Sequence, residues 1–411
     1  MKFNFDTASL IAASTMLICL PAWSQQRDWS LDHSPKLVEF DAPDATKTNS
    51  EICSPQCGTV AYSNNDFGEI AGFYTGADFV LNAFVRYPDG HFTEFDATGA
   101  GIGAEQGTVA MAINDLGVVV GQFEDSNSVY HGFLRKPDGA ITEFDAQGAG
   151  TAANLGTLAW SINLEGRTAG VYFDMNNLQH GFVRSPDGHF ETIDPTGSVA
   201  TMVCEETCLN QEGAITGYYA DSSGAVHGFL REPNGTVTPF DAPGAVGFSG
   251  GASINDEGTI TGYYADAIGV YHGFFRYRDG TFSTLDVPGA GAAAGQGTAS
   301  FSINLLGAVT GVFIDSNNVF QGFSRTPQGT YTPFSAHGAG TGTYQGTRPS
   351  TNNLEGDVAG WWLDSTGLVH GFVWYSDGDR RWEGGSDATE TNWTNTVALL
   401  CGPATISKRW R

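Results

Sequence analysis

The sequence runs to 411 residues and carries 45 Asp+Glu against 19 Lys+Arg, a net charge of -26. A surface this acidic repels phosphate backbones and anionic lipid headgroups, so nucleic acid is excluded as an expected partner, and cationic or basic partners are favoured. Hydrophobic content of 41% is enough for a sizeable core, and 55 glycines point to many tight turns.

Taken in chain order, residues 1–24 read as a secretory signal. Lys2 gives a weak positive start, Ala8 to Leu20 form the apolar stretch, and Ala22-Trp23-Ser24 is a small-x-small cleavage site. The mature chain then begins near Gln25, and the expected location is extracellular or periplasmic. A buried N-terminal helix is the alternative, with Asp6 in its favour. The apolar run is too short for a comfortable membrane span. Residues 25–34 read as a linker, 35–383 as one repeat domain and 384–411 as a tail that departs from the repeat.

Cys53 and Cys57 form one C-x-x-x-C pair, and Cys204 and Cys208 another. Export into oxidising surroundings makes two local disulfides the expectation. Residues four apart on a straight strand lie about 13 Å from each other, so each bridge needs a turned or helical stretch. Zinc is the alternative, but it needs four converging ligands. Cys401 is left over as a free thiol.

The repeat is marked by His-Gly-Phe or a variant at Asn82-Ala83-Phe84, His131-Gly132-Phe133, His180-Gly181-Phe182, His227-Gly228-Phe229, His272-Gly273-Phe274, Gln321-Gly322-Phe323 and His370-Gly371-Phe372. Successive steps are 49, 49, 47, 45, 49 and 49 residues. The second unit predicts strands over 107–114, 117–123, 129–135 and 140–145. An Asn114 turn follows the first, an acidic loop the second, and Pro137-Asp138-Gly139 the third. Four short strands at this period match a propeller blade. The fold expected is an all-β, seven-bladed β-propeller with four-stranded blades.

The ends are out of phase. The last unit has GTRPSTNN, GDVAGWW and LVHGFVWY, and then its fourth-strand signature fails. That piece appears at the other end, as LVEFDAP over 37–43. The N-terminal strand is therefore expected to complete the last blade and close the ring, which removes exposed sheet edges. Over about residues 35–383 the chain resembles the HAF-type extracellular repeat proteins, named for a His-Ala-Phe motif in each unit. The resemblance implies export and a propeller-like array, and it carries no catalytic residues.

Most recurrent polar residues are expected to be structural. The histidines sit in different blades, too far apart to share an ion, and should hydrogen-bond within their own blade. Asp125, Asp174, Asp221, Asp266, Asp315 and Asp364 follow the second strands, where Asx-turn chemistry explains them. Calcium is the alternative there, although these loops lack the EF-hand pattern. No other cofactor or metal is expected. The aromatics closing each second strand should fill the wedge between blades.

Function is expected where the repeat breaks its own rule. First strands should surround a central channel, and their middle positions vary: Tyr62, Met111, Trp160, Thr207, Ala252, Phe301 and Ser350. Unit 4 adds Glu205 and Glu206, unit 7 adds Arg348, and His337, Tyr344 and Glu105 lie in loops entering first strands. The candidate ligand-binding residues are Tyr62, Trp160, Glu205, Glu206, His337, Tyr344 and Arg348, facing the channel mouth. The reading is a secreted or envelope-associated, non-enzymatic binding or scaffold module, a monomer whose ligand is a polysaccharide or a protein. The alternatives are a polysaccharide lyase or glycosidase using Glu205, Glu206 and Arg348, and a calcium-stabilised structural protein.

Overall fold

The computed structural model describes residues 34–50, 57–203 and 207–377. The signal, Cys53, Cys204, Glu205, Glu206 and the tail lie outside these residues. Among the described residues the regular elements are strands alone, and no helix is long and apolar enough to cross a membrane.

The strands pair into four-stranded antiparallel units. In unit 2, Gly107–Ile113, Val119–Glu124, Tyr130–Arg135 and Ile141–Phe144 pair in chain order. The Pro-Asp-Gly hairpin works as its chemistry requires: Asp138 Oδ1 accepts the Ala140 N–H at 3.0 Å. Six such units lie between Thr59 and Phe334. Strands Gly346–Asn352, Val358–Leu363 and Val369–Tyr375 begin a further unit. Its fourth strand is Lys36–Phe40, paired antiparallel from Lys36↔Tyr375 to Phe40↔Gly371.

The core sits between adjoining units. The phenylalanines of the His-Gly-Phe marker (Phe84, Phe133, Phe182, Phe229, Phe274, Phe323 and Phe372) are all at most 1% exposed. The middle glycine makes room for the outer strand, since a Cβ at Gly132 would lie 2.4 Å from the Phe144 ring. Each first strand abuts the third strand of the unit before it, as at Leu81↔Gly107. There Gly107 has φ 123°, and a Cβ would meet the Leu81 carbonyl at 2.0 Å, so only glycine fits.

Two hydrogen-bond and ring series run from unit to unit. In the turn after each first strand, a buried asparagine donates through Nδ2 to the backbone carbonyl of its counterpart in the next unit. The series runs Asn65 to Asn114 (3.1 Å), Asn163 (2.9 Å), Asn210 (3.2 Å), Asn255 (3.0 Å), Asn304 (3.3 Å) and Asn353 (2.8 Å), and Asn353 donates to Asn65 at 3.2 Å. The second series lies farther out. Arg86 stands over Phe40 at 4.6 Å, Arg135 over Phe95 at 4.5 Å, Arg184 over Phe144 at 4.7 Å and Arg276 over Phe240 at 5.0 Å. Each arginine ends a third strand, and each ring belongs to the outer strand of the preceding unit. Arg231 pairs with Glu191 at 2.6 Å instead, Arg325 turns to Phe275 at 5.0 Å, and Trp374 stacks on Phe334 at 5.0 Å. Cation–π contacts of this kind contribute about 0.5–2 kcal/mol each.

Candidate functional site

First strands of units 1 to 3, of units 5 to 7, and of units 7 and 1 contact one another. Six of them carry a β-bulge at one position, with register shifts between Ala61/Ser63, Ala110/Ala112, Ala159/Ser161, Gly251/Ser253, Ser300/Ser302 and Pro349/Thr351. The residues between are Tyr62, Met111, Trp160, Ala252, Phe301 and Ser350, the variable middle positions of the sequence. A bulge leaves one residue outside the ladder and re-aims its side chain, which frees that position from the repeat. Unit 4 shifts earlier, between Ser198 and Ala200. Its Thr207 bonds Ser253 Oγ at 2.6 Å and Ser302 Oγ at 3.3 Å, a polar constriction between inner strands.

Tyr62 is part of a pocket. Its ring stacks on Phe73 at 5.8 Å. With Leu81 these form one wall, Glu105, Val109, Gln122, Phe123, Glu124 and Tyr130 of unit 2 form the other, and Leu158 of unit 3 closes it. The volume is about 200 Å³. Glu105 sits on the rim with φ 67°. Its N–H donates to the Phe79 carbonyl at 2.8 Å, as Asn154, Gly295 and Tyr344 donate to Ser128, Gly269 and Asn318 in other units. The left-handed backbone recurs there too, with φ 64° at Asn154, 79° at Gly295 and 61° at Tyr344, so it belongs to the repeat. Burial pushes the Glu124 carboxyl up, with the Glu105 and Asp125 charges adding to it against a Ser128 hydrogen bond. Burial also raises the Tyr130 phenol, helped by Glu124 and Glu105.

The other candidates fall elsewhere. Tyr344, 55% exposed, tilts over Phe320 at 5.9 Å. Arg348 lies 5.4 Å from Phe301, 5.6 Å from Phe320 and 5.4 Å from Trp361. Trp361 also packs in the cluster that holds Tyr62, so one apolar wall joins Arg348 to the pocket. Trp160 packs beside Leu158 and Met202, toward unit 4, and is not part of the pocket wall. His337 corrects the sequence reading. Its N–H donates to Glu39 Oε1 on the N-terminal strand, so it belongs to the outer edge of the last unit and not to the channel mouth. Glu205 and Glu206, on which the lyase or glycosidase arrangement depends, lie outside the described residues.

Sequence reasoning missed Glu124, Gln122 and Tyr130. A signal for Glu124 was present. The residue before the loop after each second strand is Thr75, Glu124, Phe173, Ala220, Ala265, Ile314 or Leu363, and Glu124 alone is charged.

The recurrent histidines occupy a second kind of cluster. Each Nδ1 bonds the aspartate after the outer strand: His131 to Asp145 at 3.0 Å, His180 to Asp194 at 2.8 Å, His227 to Asp241 at 3.0 Å, His272 to Asp286 at 3.0 Å and His370 to Asp41 at 2.9 Å. Nε2 faces the loop aspartate at 3.5–3.9 Å. That aspartate is already engaged in an Asx turn, as Asp125 Oδ1 accepts the N–H groups of Asn127 and Val129. In unit 6, Gln321 takes the same place between Asp315 and Ser335. Among the described residues no group of three or more His, Cys, Asp or Glu is arranged to hold a metal ion.

These clusters give stability a pH dependence. Burial pulls the His227, His272 and His370 rings down, but hydrogen bonds and charge from their two aspartates outweigh it, and each folded pKa is raised. A raised histidine stabilises fully below its unfolded value of about 6.5, and the contribution is lost as pH rises through the folded value. Asp221 is held at about 2 by the Ser223 hydroxyl, and the Val270 N–H heads the causes that lower Asp266. Their contributions are lost as pH falls below about 4. The melting temperature is therefore expected to fall from pH 6 to pH 8.5. Replacing His227, His272 and His370 together by Gln, the unit 6 residue, should flatten that alkaline limb. An unchanged slope in the triple variant would contradict the assignment.

Comparison with protein-family models and with curated proteins finds no match. Solved structures with a similar fold include puromycin hydrolase, with 10% identity and a TM-score of 0.50 over 82% of this chain, which spans 55% of that protein. They also include the BP39L lectin of Burkholderia pseudomallei, with 10% identity and a TM-score of 0.45 over 82% of this chain and 98% of that one. The Aleuria aurantia lectin, a six-bladed β-propeller, has 16% identity and a TM-score of 0.37 over 68% and 89% of the two chains. At these identities the likeness concerns the fold alone.

Proposed function

We propose that this chain is an exported, monomeric, non-enzymatic binding protein of the HAF-repeat type, a closed seven-bladed propeller that binds a saccharide at the mouth of its channel. Closure is supported by the asparagine series that returns from Asn353 to Asn65 and by the Arg86–Phe40 contact. Two disulfides, Cys53–Cys57 and Cys204–Cys208, fit the complete burial of Cys57 and Cys208.

The observation that carries the binding reading is the Tyr62 pocket. It combines aromatic faces, on which the C–H face of a sugar ring can lie, with carboxylate and amide oxygens that can accept hydroxyl protons. The test is a thermal-shift screen of residues 25–411 against soluble oligosaccharides. A ligand at 100 times its Kd stabilises the fold by about 2.7 kcal/mol. The expected result is a saturable shift that disappears in Tyr62→Ala. A shift that survives Tyr62→Ala, or no shift across the panel, would refute the pocket as the binding site.

A further inference from the structure

The pocket's charged groups all have one sign. Glu105 and Glu124 both line it, and no Lys, Arg or His does. The charge of Glu105 is among the causes that raise Glu124, and both carboxylates act on the Tyr130 phenol. Gln122 Oε1 is buried and has no hydrogen-bond partner among the described residues. A buried acceptor without a donor costs about 1–3 kcal/mol until something supplies a proton. The remaining walls include Tyr62 and Tyr130, whose π faces carry partial negative charge. Two carboxylates, an amide oxygen and aromatic faces make a site rich in acceptors and lined by no positive charge; its side-chain donors are the Tyr62 and Tyr130 hydroxyls and the Gln122 amide.

We propose that this pocket takes the protonated amine of an unsubstituted 2-amino sugar. An ammonium group supplies three N–H donors and one positive charge. Its N–H groups can reach the carboxylates, while the sugar ring lies against Tyr62 or Tyr130. A neutral sugar brings hydroxyl donors but leaves the two carboxylates uncompensated. An N-acetylated sugar loses the charge and adds bulk. The net charge of -26 on the whole chain steers a cationic glycan toward the surface, but it does not explain selection at one pocket. The proposal rests on the saccharide reading above.

The test is calorimetric titration of residues 25–411 at pH 6 with three probes: glucosamine trimer, N-acetylglucosamine trimer and maltotriose. The glucosamine trimer should bind at least tenfold more tightly than the other two. Glu105→Gln with Glu124→Gln should remove that preference, while Asp279→Asn, in an outer hairpin turn, should keep it. Circular dichroism of the double variant establishes that it is folded. Equal affinity for all three trimers, lost in Tyr62→Ala, would overturn the ammonium and leave the saccharide site standing. A preference that survives the Glu105/Glu124 double variant, or that Asp279→Asn weakens as much, would assign it to surface charge and overturn the pocket. No binding of any trimer would take the saccharide reading down as well.

Discussion

A chain that begins at Pro43, lacking the N-terminal strand, is expected to melt far below one that begins at Lys36, or to show no cooperative transition. The strand makes five residue pairs with Val369–Tyr375. Phe40 packs edge-on against Phe84 at 6.5 Å and Phe92 at 6.0 Å, and it carries Arg86 over its ring. Asp41 is the partner of His370. Truncating a fully buried Phe costs about 3–5 kcal/mol, and the half-buried Phe40 accounts for a part of that. Loss of the whole strand also exposes an unpaired edge and approaches the entire stability of a typical domain, about 5–15 kcal/mol. Circular dichroism melts of the two chains, with and without a peptide spanning residues 36–43, provide the measurement. Rescue by the peptide would show that the loss is that of a missing strand. Identical melting of the two chains would refute the proposed closure.

Asn163→Asp is expected to cost about 3 kcal/mol at pH 7, although it changes a single atom type. Asn163 is 1% exposed. Its Oδ1 accepts the Arg167 N–H at 2.9 Å, and its Nδ2 donates to the Asn210 carbonyl at 3.2 Å. Aspartate keeps the first bond but sets a carboxylate oxygen against a carbonyl oxygen where no water reaches. A protonated carboxyl can donate there. The deficit should therefore shrink as the sample is taken from pH 7 toward pH 4, whereas a defect of packing alone would not respond. Urea unfolding at the two pH values separates these outcomes. Equal midpoints for variant and parent at pH 7 would mean that the asparagine series does not hold units together.

The strand layout was legible because each turn carries its own chemistry. Strands expected over 107–114, 117–123, 129–135 and 140–145 appear as Gly107–Ile113, Val119–Glu124, Tyr130–Arg135 and Ile141–Phe144. The phase shift of LVEFDAP likewise anticipated the pairing of Lys36–Phe40 with the last unit. Asn114 was legible as a turn residue, and its side chain does accept the N–H groups of Leu116 and Val118. Its donation to the next unit was not, because a period in sequence does not say which groups meet across it. The bulges were hidden for the same reason: a variable position looks alike whether it lies in the ladder or outside it. His337 misled because a loop entering a first strand crosses the whole width of a unit, and only its later residues reach the centre. Glu124 was hidden because variable first strands were expected to carry the site, whereas the pocket also draws on second strands (Phe73, Gln122, Phe123, Glu124) and third strands (Leu81, Tyr130).

The pairing of Lys36–Phe40 with the last strand, Val369–Tyr375, also orders events in time. About 335 residues separate Phe40 from Tyr375, and at a synthesis rate of roughly 5–20 residues per second the early strand is made about 15–70 s before its partner. Each intervening unit can form from local hairpins, but this pairing has the largest sequence separation of the strand pairings among the described residues and must come late. Its closure entropy grows only with the logarithm of the loop length, and it shrinks further once the units between have assembled and hold the two ends near each other. Until then Val38 and Phe40 have no sheet to join, and the last unit presents an open edge. The N-terminal strand thus acts as a timer on completion: a chain truncated before Val369 can build most of its units and still never become a finished molecule.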